Sequence, residues 1–221
     1  TGIDLNDFEK EDYKCFNDFF KRRIKAELRP VEESKDYLAS PSDGLLRIYP
    51  INGESVIPVK ESAYNIPSLL QDADLASEYE DGICMVFRLC VNHYHRYHFP
   101  DGGRVLETKK IDGVLHTVSP IALRELPVFT ENAREYTVME TENFGKVVMM
   151  EVGAMLVGRI SNHDKTKFNR GEEKGYFEYG GSTVILLLKK DRVELPRNLY
   201  IASEKGYETH VKMGQAVAKK I

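Results

Sequence analysis

The chain has 221 residues and a formal net charge of −4, from 31 basic and 35 acidic side chains. This near balance argues against a nucleic-acid-binding protein, which usually carries a strong basic excess, and a hydrophobic content of 42% is typical of a soluble globular chain. The three cysteines, Cys15, Cys84 and Cys90, are odd in number and lack Cys-x-x-Cys spacing, so we expect free thiols in a reducing compartment.

The pattern of apolar residues predicts a short helical beginning followed by many strands. Apolar side chains among charges indicate helical character over Leu5–Leu28, which Arg29-Pro30 ends because the residue before proline disfavours helix. Further helices are expected at Pro67–Glu78 and Pro120–Glu125. Short apolar segments bounded by Gly, Pro, Asn and Asp predict strands. These segments are Leu45–Tyr49, Ser55–Pro58, Ile83–Val91, Val105–Thr108, Glu135–Met139, Lys146–Val152, Val184–Leu188 and Leu199–Ile201. The sequence therefore predicts a β-rich α+β protein with a helical N-terminal segment over residues 1–30.

A pair of glycines, Gly180 and Gly181, leads through Ser182 into the apolar stretch Val184–Leu188. Such a pair usually marks a hairpin or bulge, and the pattern alone favours that structural interpretation. The same features suit a serine that attacks the carbonyl just before it, because Gly181 has no side chain to block the approach. A neighbouring base would then have to activate the weak Ser182 hydroxyl.

Three histidines, His93, His95 and His98, fall within six residues after a predicted strand. Histidine is the commonest metal ligand, and it is also the side chain whose charge changes near neutral pH. In an extended strand His93 and His95 share one face and His98 does not, unless a turn such as the one that Pro100 favours intervenes. No cysteine or carboxylate completes a recognised zinc pattern. Metal binding, acid–base catalysis and ordinary polar positions all stay open.

The segment from Ala39 to Gly44 contains Asp43-Gly44, a strong turn signal that on its own favours a structural interpretation. Asp43 gains a functional interpretation only beside a histidine and a serine, as the group that orients an imidazole.

Taken in order, these segments resemble the phosphatidylserine decarboxylases, a family of pyruvoyl-dependent enzymes made as self-cleaving proenzymes. The resemblance runs from about Asp12 to Gly214. Relative to the family, His93 stands where an acidic residue is usual, Ala133 interrupts an Asn-Glu-Arg stretch, and Gly180 stands where leucine is frequent. The segments that carry the resemblance are Phe16–Arg22, Leu28-Arg29-Pro30, Pro41-Ser42-Asp43-Gly44, Tyr94-His95-Arg96-Tyr97-His98, Val118-Ser119-Pro120, Val152–Gly158, Lys174-Gly175-Tyr176-Phe177, Gly180-Gly181-Ser182-Thr183 and Val211-Lys212-Met213-Gly214.

The resemblance implies that the chain cuts itself between Gly181 and Ser182. It assigns His98 as the base that takes the Ser182 proton and Asp43 as the group that holds the His98 ring in the useful tautomer. Ser182 then becomes a covalent pyruvoyl group, the cofactor, which forms a Schiff base with the substrate amine. His95 is the candidate acid–base group of the decarboxylation, and no metal ligand is assigned.

The implied reaction converts phosphatidylserine to phosphatidylethanolamine, within a decarboxylase domain over residues 31–221 that has a β-sandwich or barrel-like core. A lipid substrate implies a phospholipid membrane surface as partner, and a peripheral enzyme on the cytoplasmic side of a bacterial-type cell membrane. The two cleaved chains should stay together, a homodimer is compatible with the resemblance, and no nucleic-acid partner is expected. A candidate interfacial segment combines aromatic and basic side chains, with a helix that covers the β core as the alternative. Its residues are Phe16, Phe19, Phe20, Lys21, Arg22, Arg23 and Lys25.

Three other functions stay open from the sequence. A pyruvoyl-dependent decarboxylase of a free amino acid would keep the chemistry and change the substrate. A metal-dependent hydrolase would use His93, His95 and His98 as ligands. A non-enzymatic β-rich binding module would contain a Gly-Gly-Ser turn that is never cut.

Overall fold

The computed structural model describes residues 3–52, 56–59, 62–114, 128–153, 159–179 and 182–221. Strands dominate these ranges and helices are few and short. The strands are β1 (Tyr37–Ala39), β2 (Gly44–Pro50), β3 (Val56–Val59), β4 (Ser62–Asn65), β5 (Ile83–Leu89), β6 (Arg96–His98), β7 (Gly103–Ile111), β8 (Arg134–Thr141), β9 (Gly145–Val152), β10 (Ile160–Asn162), β11 (Lys167–Phe168), β12 (Glu173–Phe177), β13 (Ser182–Leu188), β14 (Val193–Glu194), β15 (Thr209–Val211) and β16 (Ala216–Lys220). The helices are α1 (Phe16–Phe20), α2 (Ile66–Leu70), α3 (Ala73–Ser77), α4 (Val128–Glu131) and α5 (Arg197–Glu204), with 3-10 turns at Leu5–Asp7 and Ala26–Leu28.

One antiparallel sheet of eight strands organises the molecule, in the order β11-β7-β8-β9-β13-β5-β2-β15. β13 lies inside this sheet between β9 and β5, and all 7 of its residues are buried. The unbroken apolar run Val184–Leu188 explains the position, because a strand that is covered on both faces needs no polar alternation. The sheet therefore holds the start of β13, Ser182, within the interior of the protein.

A second layer covers part of one face of the large sheet. The three-stranded sheet β10-β12-β6 reaches that face through a buried ion pair, in which Lys174 Nζ lies 2.8 Å from Glu151 Oε2. Beside it Asn162 Nδ2 donates to Glu135 Oε1 at 2.7 Å. Two stacked β layers with few helices confirm the predicted α+β class and its sandwich-like core.

The N-terminal segment is less helical than the apolar pattern over Leu5–Leu28 predicts. Phe8 and Ile24 form an antiparallel bridge and pack together against Tyr94. A continuous helix would hold Phe8 and Ile24 about 24 Å apart at 1.5 Å per residue, so the bridge excludes it. The segment instead folds back on itself around α1, and Phe20 joins the main hydrophobic core.

Two other predicted elements differ from the structure. The predicted strand Leu199–Ile201 is wrong, because these residues lie in α5, whose buried residues Leu199 and Ser203 are one helical turn apart. Three apolar residues are too few to distinguish the helical period from the strand period. The helix predicted over Pro67–Glu78 is two helices, α2 and α3, separated at Gln71, which has a left-handed backbone with φ of 49°.

The strand predicted at Ser55–Pro58 falls partly outside the described residues, and the helix predicted at Pro120–Glu125 lies outside them entirely. In the described part of the chain no helix has the length and apolar character needed to cross a bilayer.

The buried ion pair between the two layers yields a stability prediction. Lys174→Met should destabilise the fold by about 3–5 kcal/mol, because it leaves the Glu151 carboxylate buried without its cation. The double variant Lys174→Met/Glu151→Leu should recover most of that loss, since neither charge then remains. Urea-unfolding midpoints, measured in a Ser182→Ala background that keeps the chain in one piece, compare the variants. A double variant that is less stable than the single one would contradict this account.

Candidate active site

The predicted nucleophile and the predicted aspartate lie at the same end of the large sheet. Ser182 begins β13 and pairs with Leu89, the last residue of β5. The register of β2 against β5 places Gly44 on the other side of Leu89. Neighbouring strands are about 4.8 Å apart, so the backbones of Ser182 and Gly44 are separated by about 10 Å across three strands. Asp43, which precedes Gly44, is therefore close to the start of β13.

Ser182 is fully buried, with 0% of its surface exposed, and its Oγ has no hydrogen-bond partner among the described residues. A buried hydroxyl without a partner costs about 1–3 kcal/mol. Such a hydroxyl still has its proton available to donate to a base. The predicted cleavage partner Gly181 and its neighbour Gly180 lie outside the described residues.

His98 is held as a neutral imidazole with one nitrogen available. Its Nδ1 lies 3.1 Å from the carbonyl oxygen of Gly171. A carbonyl only accepts, so Nδ1 carries the proton and Nε2 carries the lone pair. No described residue bonds that Nε2. Burial lowers the pKa of His98, and the negative charges of Glu173 and Asp43 oppose this shift.

His95 has the same arrangement in a more apolar environment. Its Nδ1 donates to the carbonyl oxygen of His93 at 2.9 Å, and its Nε2 is unpartnered within the described ranges. The imidazole lies 3.8 Å from the Phe20 ring, centroid to centroid, and has 0% exposure. Burial lowers the pKa of His95 to about 3. A second neutral Nε2 lone pair is therefore available inside the protein.

Asp43 does not hold the His98 ring, which corrects the role predicted for it. The guanidinium of Arg29 donates two hydrogen bonds to the Asp43 carboxylate, from Nε to Oδ1 at 2.7 Å and from Nη2 to Oδ2 at 2.5 Å. The Met213 N–H donates a third, to Oδ1 at 2.9 Å. The Gly171 carbonyl occupies the position at His98 Nδ1 that was assigned to the aspartate. The Asp43 charge raises the pKa of His98 against the effect of burial, without a hydrogen bond between the two side chains.

His93 closes a turn between β5 and His95. Its Nδ1 accepts the N–H of Cys90 at 3.0 Å, and its own N–H donates to the Cys90 carbonyl at 2.8 Å. In the part of the chain that the structure describes, no group of three or more His, Cys, Asp or Glu side chains is placed to hold a metal ion. The metal-hydrolase alternative thus has no ligand cluster within these ranges.

Comparison with known proteins adds to this geometry. The family described as Phosphatidylserine decarboxylase matches residues 16–219 of the chain.

The chain belongs to the phosphatidylserine decarboxylase family.

Its relatives include proenzymes from clostridia. Phosphatidylserine decarboxylase proenzyme 2 of Clostridium acetobutylicum is 44% identical over 217 residues, which cover 98% of this chain and 75% of that protein. The phosphatidylserine decarboxylase proenzyme of Clostridium botulinum strain 657 is 45% identical over 225 residues, 99% of this chain and 76% of the relative. That of Clostridium botulinum strain Eklund 17B is 40% identical over 226 residues, 100% of this chain and 76% of the relative.

No active-site role could be assigned from the sequence to several residues that shape the site. Arg29 and Phe20 lie in segments that carried the family resemblance, but their contacts with Asp43 and His95 join positions far apart in the chain. The Gly171 carbonyl and the Met213 N–H are backbone groups, and no residue type announces such a partner. The only sequence signal for Arg29 and Phe20 is their place in the segments Phe16–Arg22 and Leu28-Arg29-Pro30, which resemble the family.

The neutral state of His95 leads to a pH prediction. Its folded pKa of about 3 lies below the unfolded value of about 6.5, so the unfolded state binds a proton more readily. Stability from His95 is complete above about pH 6.5 and is lost as the pH falls toward 3. Between pH 8 and 5 the wild-type site should lose about 2 kcal/mol more stability than a His95→Gln variant. Urea unfolding of both, in the Ser182→Ala background, measures the difference, and equal losses would refute the buried neutral imidazole.

Proposed function

We propose that this chain is a proenzyme that cuts itself between Gly181 and Ser182 and then decarboxylates phosphatidylserine to phosphatidylethanolamine. The observation that carries the proposal is the buried hydroxyl of Ser182, which has no partner among the described residues and lies at the sheet end that also carries Asp43. Two neutral histidines with available Nε2 atoms supply bases, and family membership supplies the reaction class.

Self-cleavage begins when His98 Nε2 accepts the Ser182 hydroxyl proton. The oxygen attacks the carbonyl carbon of Gly181, and the peptide C–N bond breaks as its nitrogen takes up a proton, which leaves an ester between Gly181 and Ser182 Oγ. Loss of the Cα proton of residue 182 expels the Gly181 carboxylate and leaves dehydroalanine. Addition of water and release of ammonia then yield a pyruvoyl group at position 182.

Asp43 supports the first step electrostatically. His98 becomes an imidazolium when it takes the proton, and a nearby carboxylate favours that charged form. The backbone and Arg29 hold Asp43 in place, so its charge needs no reorganisation during the reaction. Asp43 is thus assigned an electrostatic role in self-cleavage that needs no hydrogen bond to His98.

The residues at the site also fit the second reaction. A pyruvoyl group at position 182 would supply a carbonyl that condenses with the substrate amine and accepts the electrons left when CO₂ departs. His95 is the group that takes up a proton at its unpartnered Nε2, as the substrate amine loses protons on condensing with that carbonyl, and returns this proton to the former α-carbon after CO₂ has left. Phe20 covers the imidazole and excludes water, which limits loss of the proton to solvent.

A lipid substrate requires contact with a membrane surface, and the N-terminal segment over residues 1–30 offers one. Phe16 is 50% exposed and Leu28 is 37% exposed, whereas Phe20 and Arg22, which the sequence placed in the candidate interfacial segment, are fully buried. Lys21 and Arg23 lie in the same segment, and basic groups beside exposed apolar side chains favour an anionic lipid surface. We assign the enzyme to the cytoplasmic side of the membrane, with residues 31–221 as the decarboxylase domain.

The first test is the mass of the purified protein under denaturing conditions. Wild type should give two chains, residues 1–181 and residues 182–221, and the smaller chain should lack a free amino terminus. Ser182→Ala should give one uncut chain, because alanine has no nucleophile. Thr183→Val removes a neighbouring buried hydroxyl and serves as the matched control, which should still be cut. An uncut wild-type protein, or a cut Ser182→Ala protein, would overturn the self-cleavage proposal.

The substrate is tested by giving the cleaved protein two kinds of amino-containing substrate, phosphatidylserine in vesicles and free amino acids. CO₂ should be released from vesicles that contain phosphatidylserine and not from free serine or other free amino acids, because the proposed site works at a membrane surface. Ser182→Ala, which cannot form the pyruvoyl group, controls for background release. Release from free amino acids alone would replace the lipid assignment with the free-amino-acid decarboxylase.

A further inference from the structure

We propose that Asn17 of α1 is a positioning residue for self-cleavage, because it holds the chain at Tyr179, two residues before Gly181. The inference rests on the proposed function and adds to it a residue outside the Ser182, His98 and Asp43 set.

Asn17 uses both ends of its amide on two consecutive residues. The Tyr179 N–H donates to Asn17 Oδ1 at 2.9 Å. Asn17 Nδ2 donates to Glu178 Oε2 at 3.2 Å. These residues lie at sequence separations of 162 and 161, so the contact is purely tertiary. The first bond restrains the backbone at Tyr179 directly, and the second restrains the side chain of the residue before it.

Aromatic contacts strengthen the same attachment. The ring of Tyr179 lies 4.6 Å from that of Phe16 and 5.5 Å from that of Phe20, in both cases nearly perpendicular. Phe20 also packs on the His95 imidazole. One short helix therefore contacts the segment before the cleavage bond and one of the two bases.

The chain between the two fixed points is very short. Tyr179 and Ser182 are separated by three Cα–Cα steps of about 3.8 Å each. Asn17 holds the first end, and the pairing of Ser182 with Leu89 holds the second. Restraint at both ends limits the directions from which the Ser182 hydroxyl can approach the preceding carbonyl carbon. Small displacements from the geometry of attack lower the reaction rate by large factors.

The amide of Asn17 is not required to build α1. Asp18 Oδ2 accepts the Lys14 N–H at 3.2 Å near the start of the helix, and Lys21 lies 3.4 Å from Asp18. Phe20 anchors the helix in the core. Loss of the Asn17 side chain should therefore leave the helix docked while it frees Tyr179.

The experiment follows the cutting reaction over time during cell-free translation, by denaturing mass spectrometry. Asn17→Ala should slow cleavage about tenfold, because the N–H of Tyr179 loses its acceptor. Asn17→Asp keeps the acceptor but sets a carboxylate against Glu178, and it should also be slow. Asn17→Asp/Glu178→Gln restores a donor–acceptor pair with exchanged roles, so its cleavage rate should recover most of the loss. Asn6→Ala, an exposed asparagine in the same segment, is the matched control.

The outcomes separate this inference from the proposed function. A wild-type chain that is never cut refutes the proposed function. A wild-type chain that is cut at Gly181–Ser182, together with Asn17→Ala cut at the same rate, refutes the positioning role alone. If the double variant is cut no faster than Asn17→Asp, the direct hydrogen bond between residues 17 and 178 is refuted. A general loss of folding would not respond to the exchange of donor and acceptor. Thermal unfolding of Asn17→Ala in a Ser182→Ala background should match its parent.

Discussion

The register of β13 between β9 and β5 is the constraint on which the site depends. Each residue of this strand has a fixed partner, so a slip of one position would turn every side chain to the opposite face of the sheet. The same register sets Ser182 beside Leu89 and, one strand further, near Asp43. Because the strand is buried on both faces, the position of Ser182 is fixed as firmly as the core itself. Ser182 thus belongs to the most constrained part of the molecule.

Burial has a different effect on each polar group near that strand. The histidines stay neutral because an apolar interior disfavours their charged forms, and backbone carbonyls fix which nitrogen carries the proton. Asp43 stays close to a cation, Arg29, which balances its charge. Apolar surroundings therefore leave imidazoles with available lone pairs, while the Asp43 carboxylate is held by charge-assisted hydrogen bonds.

The sequence could predict the fold class and most strand positions because continuous apolar runs and glycine punctuation reflect local backbone preferences. It could also nominate Ser182, His95, His98 and Asp43, through segments that resemble a known family. Their partners could not be predicted. The hydrogen bond from His98 goes to a carbonyl that every residue possesses, and Arg29 reaches Asp43 only because the chain folds back. The N-terminal helix was overpredicted for the same reason, since the bridge between Phe8 and Ile24 is a tertiary contact.

The central position of β13 bears on what happens when the protein unfolds. A chain cut before Ser182 would consist of two pieces, and the smaller piece would contribute an inner strand of the main sheet together with β14, β15, β16 and α5. Unfolding would then separate two molecules, and refolding would become a second-order process that depends on concentration. The uncut precursor would refold as one molecule, whereas the cut form would persist only as long as its barrier to unfolding is high. Its lifetime would be set by a rate rather than by an equilibrium.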